Sequence, residues 1–328
     1  MLTRSEVRHA LRSVGADQEA LFAEASRLRD ENFDRAVLLR GVIEITNVCR
    51  VNCDYCPMRR DNLAHLDRFV MSPQQILERA EHIRGAGIDI VMLQGGETPS
   101  LFPTLREVIP ALRRMWDGQV EILLNLGNFS RRQYEELREL GANSYIIKHE
   151  TSDPVLFEQM RHEKLDARLE RIRTLLDLGF KVGTGLISSL PGQSLESVID
   201  DIELVGELGV QMCSVSPFVP APDTPLMLSP TGDLQLALNV IATLRVCYPG
   251  LLIPSVSALE KTSSGGQSLG LAAGANVMTS NFTGDANAER YLIYGKERFV
   301  VGLDHVRAVI DSMGLAVRGS AFLPEGAE

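Results

Sequence analysis

Beyond residue 40 the chain alternates between two patterns. Short runs rich in β-branched and aliphatic residues give way to longer stretches whose apolar positions recur every three to four residues. The first pattern predicts strands at 42–46, 88–93, 120–124, 144–148, 181–187, 211–216, 252–257 and 275–279. The second predicts helices at 73–85, 104–116, 130–140, 166–178, 194–208 and 233–247. Ser72 stands before Pro73, and Gly141, Gly179 and Gly209 follow three of the helical runs, as start and stop signals should. Eight strands, each followed by a helix or a long loop, predict an α/β chain closed as a (β/α)8 TIM-type barrel. A doubly wound open sheet is the alternative, disfavoured because no glycine-rich dinucleotide turn follows the first strand. The expected division is a helical extension over 1–40 capping the barrel's bottom, the barrel over 41–319, and a tail over 320–328.

Composition narrows this little. Hydrophobic residues make up 45% and charged residues 23% of 328, ordinary globular values that exclude a disordered or fibrous chain. The net charge of −10 disfavours a broad nucleic-acid surface. Arg4, Glu6, Arg8, His9 and Arg12 break up the first apolar stretch, so it reads as an amphipathic helix and not a secretory signal. No run approaches the ~18 apolar residues of a membrane span. A soluble, cytoplasmic monomer is expected. In that reducing compartment, clustered thiols bind metal or do redox work.

Three of the five cysteines fall in one short segment, Cys49-Arg50-Val51-Asn52-Cys53-Asp54-Tyr55-Cys56. Placed just after the first strand, they would stand at the barrel's C-terminal face, where barrel active sites lie. Three thiolates can hold three corners of a cubane iron–sulfur cluster and leave the fourth iron open to a ligand. A zinc site would need a fourth ligand, for which His65 is the nearby candidate. Cys53-Asp54-Tyr55-Cys56 alone would pass for a redox dithiol, leaving Cys49 unexplained. Three inert packed thiols are the plainest alternative. Cys213 and Cys247 read as buried core.

The C-x3-C-x2-C spacing, with an aromatic residue before the last cysteine, resembles the radical S-adenosylmethionine (SAM) superfamily. Gln94-Gly95-Gly96-Glu97 at the end of the second strand resembles that family's motif for the SAM amino group. The likeness implies one [4Fe-4S] cluster on Cys49, Cys53 and Cys56, with SAM chelated to the open iron. Reductive cleavage would give a 5′-deoxyadenosyl radical that takes hydrogen from a small-molecule substrate, with electrons from a flavodoxin- or ferredoxin-type donor. It places SAM against Tyr55, Gln94, Gly95, Gly96, Glu97, Asn125, Glu150, Arg168 and Ile187. The substrate is expected deeper, near Lys148, Ser255, Ser257, Thr279 and Tyr294. Gly183 and Gly185 in the fifth strand either admit a flat adenine or simply taper the barrel.

Within the superfamily the chain is most similar to the branch of the hydrogenase maturase HydE, methylornithine synthase and, more remotely, biotin synthase. The segments 41–44, 59–62, 148–151, 190–193 and 217–226 carry the HydE-like marks, and Gly274-Ala275-Asn276-Val277 matches both HydE and methylornithine synthase. No cysteine follows Cys247, so a second cluster is not expected. Lys148 stands where HydE has arginine, Ile187 where it has methionine, and Val256 and Ser257 where it has a threonine pair. Leu259-Glu260 looks more like methylornithine synthase. The resemblance therefore implies a biosynthetic or cofactor-maturation enzyme with a substrate of its own. HydE-type maturation, amino-acid mutation and carbon–carbon bond-forming tailoring are the alternatives, and a structural metal module is the non-enzymatic one.

Overall fold

A computed structural model describes residues 2–323; residues 324–328, the end of the expected tail, lie outside them. Helix α1 (Arg4–Leu11) and helix α2 (Ala16–Phe33) lead into eight strands: β1 (Ala36–Thr46), β2 (Ile90–Gly95), β3 (Glu121–Asn125), β4 (Ser144–Ile146), β5 (Lys181–Ser188), β6 (Met212–Pro217), β7 (Val277–Asn281) and β8 (Ala316–Arg318). All pair in parallel, in the order β6-β5-β4-β3-β2-β1-β7, with β8 on the lower part of β1. The expected helices recur within a residue or two. Ser72, Ser130, Ser194 and Asp233 cap four of them through side-chain oxygens, as short polar residues at a helix start do.

Three expectations need correction. First, the run at 252–257 is not a regular strand. Leu252 bridges Met212 and Pro254 bridges Val277, so two isolated contacts close the gap between β6 and β7. Pro254 has no N–H to donate, and Ser257 already opens the helix Ser257–Thr262. Second, β1 begins at Ala36, inside the expected extension. Third, α1 packs on the outer helices Leu195–Leu208 and Leu234–Cys247, on the barrel's flank and not its bottom. Arg4 and Arg8 reach Glu196, and Arg4 also reaches Asp200 and Glu203.

Strand parity sorts side chains between two environments. On β1 the odd positions Val37, Leu39, Ile43 and Ile45 join the large core between sheet and helices. The even positions face the barrel interior. There Leu38 and Val42 meet Ile90, Leu123, Ile146, Met212, Leu252 and Val277 in a second apolar cluster. Phe33 enters this cluster from α2, and Phe322 packs against it from the far end of the chain. Ser320 donates from its backbone to Asp89 and from its hydroxyl to Glu121, tying that segment to the feet of β2 and β3. The lower end of the barrel is thus plugged largely with apolar side chains, and the polar cavity opens above it. Among the described residues no helix is long and apolar enough to cross a membrane.

Candidate active site

Above the plug the barrel holds a cavity of about 340 Å³. All seventeen residues expected at the site line it: the three cysteines, the nine expected around SAM and the five expected around substrate.

The cysteine loop is held by backbone ties to several elements. Arg50 N–H donates to Glu97 O, Asp54 N–H to Met160 O and Arg60 N–H to Val51 O. The buried Arg59 donates to Asn52 and pairs with Asp54 at 3.2 Å. Gly96 is required by close approach, since a Cβ there would lie 2.3 Å from Val48 O and 2.9 Å from Cys49 Cβ. Burial pushes the Cys49 and Cys56 thiols above their ordinary pKa, so thiolates here need strong positive compensation. A bound metal cluster supplies that. Arg161 contributes too, with Nη1 3.1 Å from Cys53 Sγ and 3.3 Å from the Tyr55 hydroxyl.

The metal readings make different demands on these thiols. Among the described residues no three His, Cys, Asp or Glu side chains converge on one ion. A cubane instead takes each cysteine on a different iron. His65, the fourth ligand that zinc would need, is exposed and outside the cavity.

Around the loop stand groups suited to a zwitterion. Glu150 sits at φ 60°, and Thr151 N–H donates to His149 O across it at 2.7 Å, a γ-turn of the strained hand. Its neighbours enforce this: Glu150 N–H donates to Gly185 O, and Ile187 N–H to Glu150 O. Glu150 Oε2 is buried without a partner, and so is Arg168 Nε. An acceptor and a donor of this kind fit the ammonium and carboxylate of SAM. Arg168 is not wholly free, because Nη2 pairs with Glu163 at 2.7 Å.

Glu97 lines the cavity and is also bonded to the protein around it. Its carboxylate accepts from Asn128 N–H at 2.9 Å and from Arg50 Nε at 3.0 Å, so it fastens neighbouring loops. A Cβ on Gly127 (φ 76°) would collide with it. Gly95 and Gly96 line the cavity beside it. Gln94 accepts from Asn125 at 3.3 Å and lies beside Tyr291.

Deeper in the cavity, Gly183 and Gly185 serve packing. A Cβ at Gly185 would meet Ser214 Oγ at 2.1 Å and Lys148 Cδ at 3.3 Å, and one at Gly183 would meet Ile146. Gly185 makes room for Lys148. Burial alone would lower the Lys148 ammonium, but Glu150 and other neighbours hold it above its ordinary pKa. It therefore carries its charge in the cavity. Of the other residues expected near substrate, Ser255 donates to Gln267 O at 2.8 Å, while Ser257, Thr279 and Tyr294 face the cavity.

Sequence reading missed Arg40, Glu44, Arg161, Ser214, Ser216, Tyr291 and Arg298, which also line the cavity. Arg298 and Glu44 form a two-pronged pair at 2.6 Å on each prong, linking the loop before the final helix to β1. Parity could have found Arg40, two positions below Val42 on the inward face. Nothing local announces Arg298.

A family model described as the radical SAM superfamily matches residues 43–205. The [FeFe] hydrogenase maturase subunit HydE of Thermotoga maritima is 36% identical over 278 residues, 84% of this chain and 79% of that one. The 3-methylornithine synthase of Methanosarcina barkeri is 27% identical over 281 residues, 85% of this chain and 79% of its own. The crystal structure of methylornithine synthase (PylB) superposes with a TM-score of 0.84 at 26% identity, covering 97% of this chain and 94% of that one. With a cysteine loop suited to a cubane, and more than a third of its residues shared with HydE over most of both lengths, the chain belongs to the radical SAM superfamily, whose enzymes use a [4Fe-4S] cluster and SAM.

Proposed function

We propose that the chamber beneath the cysteine loop receives a small anionic metabolite, from which the enzyme abstracts a hydrogen atom in a biosynthetic or maturation step. A reduced [4Fe-4S] cluster with SAM bound supplies the 5′-deoxyadenosyl radical that does this. In this reading Cys49, Cys53 and Cys56 hold the cluster. Gly95, Gly96, Glu150 and the free edge of Arg168 orient SAM beside Tyr55, Asn125 and Ile187. Lys148 takes an anionic group of the substrate. Closed barrel walls keep water and stray hydrogen donors away. A flavodoxin- or ferredoxin-type protein supplies the electron, and the enzyme works as a cytoplasmic monomer.

The observation that carries the substrate class is Lys148: a charged ammonium inside the cavity, with no ion pair among the described residues, just below the SAM-facing Glu150. Glu150 steadies this charge without pairing with it at contact distance, and a charge so placed is costly until a ligand supplies a direct partner. HydE-type maturation is supported by the 36% identity. The 3-methylornithine reading is less well supported, because that product bears two amino groups. Of the cavity's carboxylates, Glu44 is taken by Arg298 and Glu97 by Arg50, leaving Glu150 alone.

Anaerobic reconstitution should give about four irons per chain, as one cubane requires, and 5′-deoxyadenosine on reduction with SAM. Cys53→Ala should lose both; a full, SAM-cleaving cluster in that variant would sink the assignment. Candidate metabolites are then screened by deuterium transfer into 5′-deoxyadenosine. For a metabolite that passes, Lys148→Met should raise KM about tenfold or more, roughly the loss of one charged hydrogen bond. An unchanged KM refutes the role given to Lys148.

A further inference from the structure

Arg40 is a second buried cation, and nothing in the reading above employs it. It lies on the inward face of β1, 2% exposed. Nη2 approaches the Met212 sulfur at 3.0 Å, a weak acceptor, and Nε has no partner. Arg245, buried on the outer helix Leu234–Cys247, differs: it donates to Gly274 O, Pro249 O and Asn276 Oδ1. The charge that Arg40 feels is Glu121, whose carboxylate already accepts from the Ser144 and Ser320 hydroxyls at 2.6 and 2.5 Å. Arginine stays protonated even here, so the floor of the chamber carries a positive fork that Glu121 attracts from a distance and that no carboxylate hydrogen-bonds.

A column of donors rises from this floor. Thr279 is the register partner of Arg40 across β1 and β7. Ser214 lies two positions above Met212 on the inward face of β6, and Ser216 two above that. Both hydroxyls are buried and unpartnered. Ser214 and Lys148 flank the same Gly185, which puts the Lys148 side chain one layer above Arg40. Two residues along a strand separate those layers by about 6–7 Å.

We infer that the substrate is a dianion of the dicarboxylate type, lying along the barrel axis. One carboxylate is forked by Arg40 at the floor, and the other meets Lys148 and Ser214 nearer the SAM site. The aliphatic link rests on Val42, Met92 and Ile146. This rests on the reading of Lys148 given above and adds a second anion site to it. Two fixed cations at different depths select for the number of negative charges as well as for their sign.

The test is calorimetry on the reconstituted holoenzyme before SAM is added, using glutarate, valerate and cadaverine as probes. Glutarate should bind at least tenfold more tightly than valerate, and cadaverine should not bind. Arg40→Met should bring glutarate down to the level of valerate. Arg40→Lys keeps the charge and lacks the fork, and should retain a weakened preference for glutarate. Equal binding of glutarate and valerate, or wild-type glutarate affinity in either variant, overturns the second site. Failure of glutarate to bind a protein that still forms 5′-deoxyadenosine rejects the dicarboxylate class and leaves the SAM reading standing.

Discussion

Single residues in this site show how narrow the tolerances are. Gly96 is needed because Val48 O and Cys49 Cβ press against it, so the cluster loop and the end of β2 share one contact surface. Adding one methyl group would push the Cys49 backbone outward. Gly96→Ala should therefore yield a folded protein with an unchanged far-ultraviolet spectrum but well under half the iron of the wild type on reconstitution. Full iron incorporation would show that the contact yields easily. Glu150 makes the converse point. Its left-handed backbone costs of order 1–3 kcal/mol in a non-glycine residue and persists only because β5 bonds it on both sides. That strain aims an unpartnered carboxylate oxygen at the cavity.

Elements were legible from the sequence in proportion to how local their causes are. The helices starting after Ser72, Ser130, Ser194 and Asp233 carry their caps beside them, so their boundaries could be read from the chain. The 252–257 run has the composition of a strand. Pro254 in its middle and the helix opening at Ser257 leave only two bridges. β8 has three largely exposed residues and no alternation to notice; it exists because the lower part of β1 offers it an edge. Of the site, the cysteine loop and the Gly95-Gly96 turn were readable as motifs. Arg298 was not, because its partner Glu44 lies 254 residues away and only the closed fold brings the two together.

The docking of α1 is also an element-scale property, and it is electrostatic. Arg8 and Arg4 hold Glu196 down to about pH 2. A depressed carboxylate pKa contributes stability in full above its unfolded value, and that contribution fades as pH falls towards the folded one. These groups are exposed, so the effect is small and screened by salt. Amide protection factors in α1, corrected for the intrinsic pH dependence of exchange, should fall between about pH 4.5 and 2, and Glu196→Gln should exchange faster than wild type at pH 7. Equal exchange rates in the two proteins at pH 7 would assign the docking to Val7, Ala10 and Leu11 instead.

At the scale of the whole molecule, the barrel divides into an apolar plug, a charged chamber and a rim that carries the cysteine loop. The plug draws on distant parts of the chain, Phe33 from before the first strand and Phe322 from beyond the last. With its lower end stoppered, the chamber is a blind shaft, and traffic through a blind shaft is last in, first out. SAM lying across the top would block the way to the floor. Steady-state kinetics should therefore be compulsory-order, with substrate adding before SAM and the altered substrate leaving last. Excess SAM should trap enzyme that has not yet been loaded, seen as inhibition that rising substrate concentration relieves. Random-order kinetics would mean that the molecule breathes at its base, where Phe322 sits.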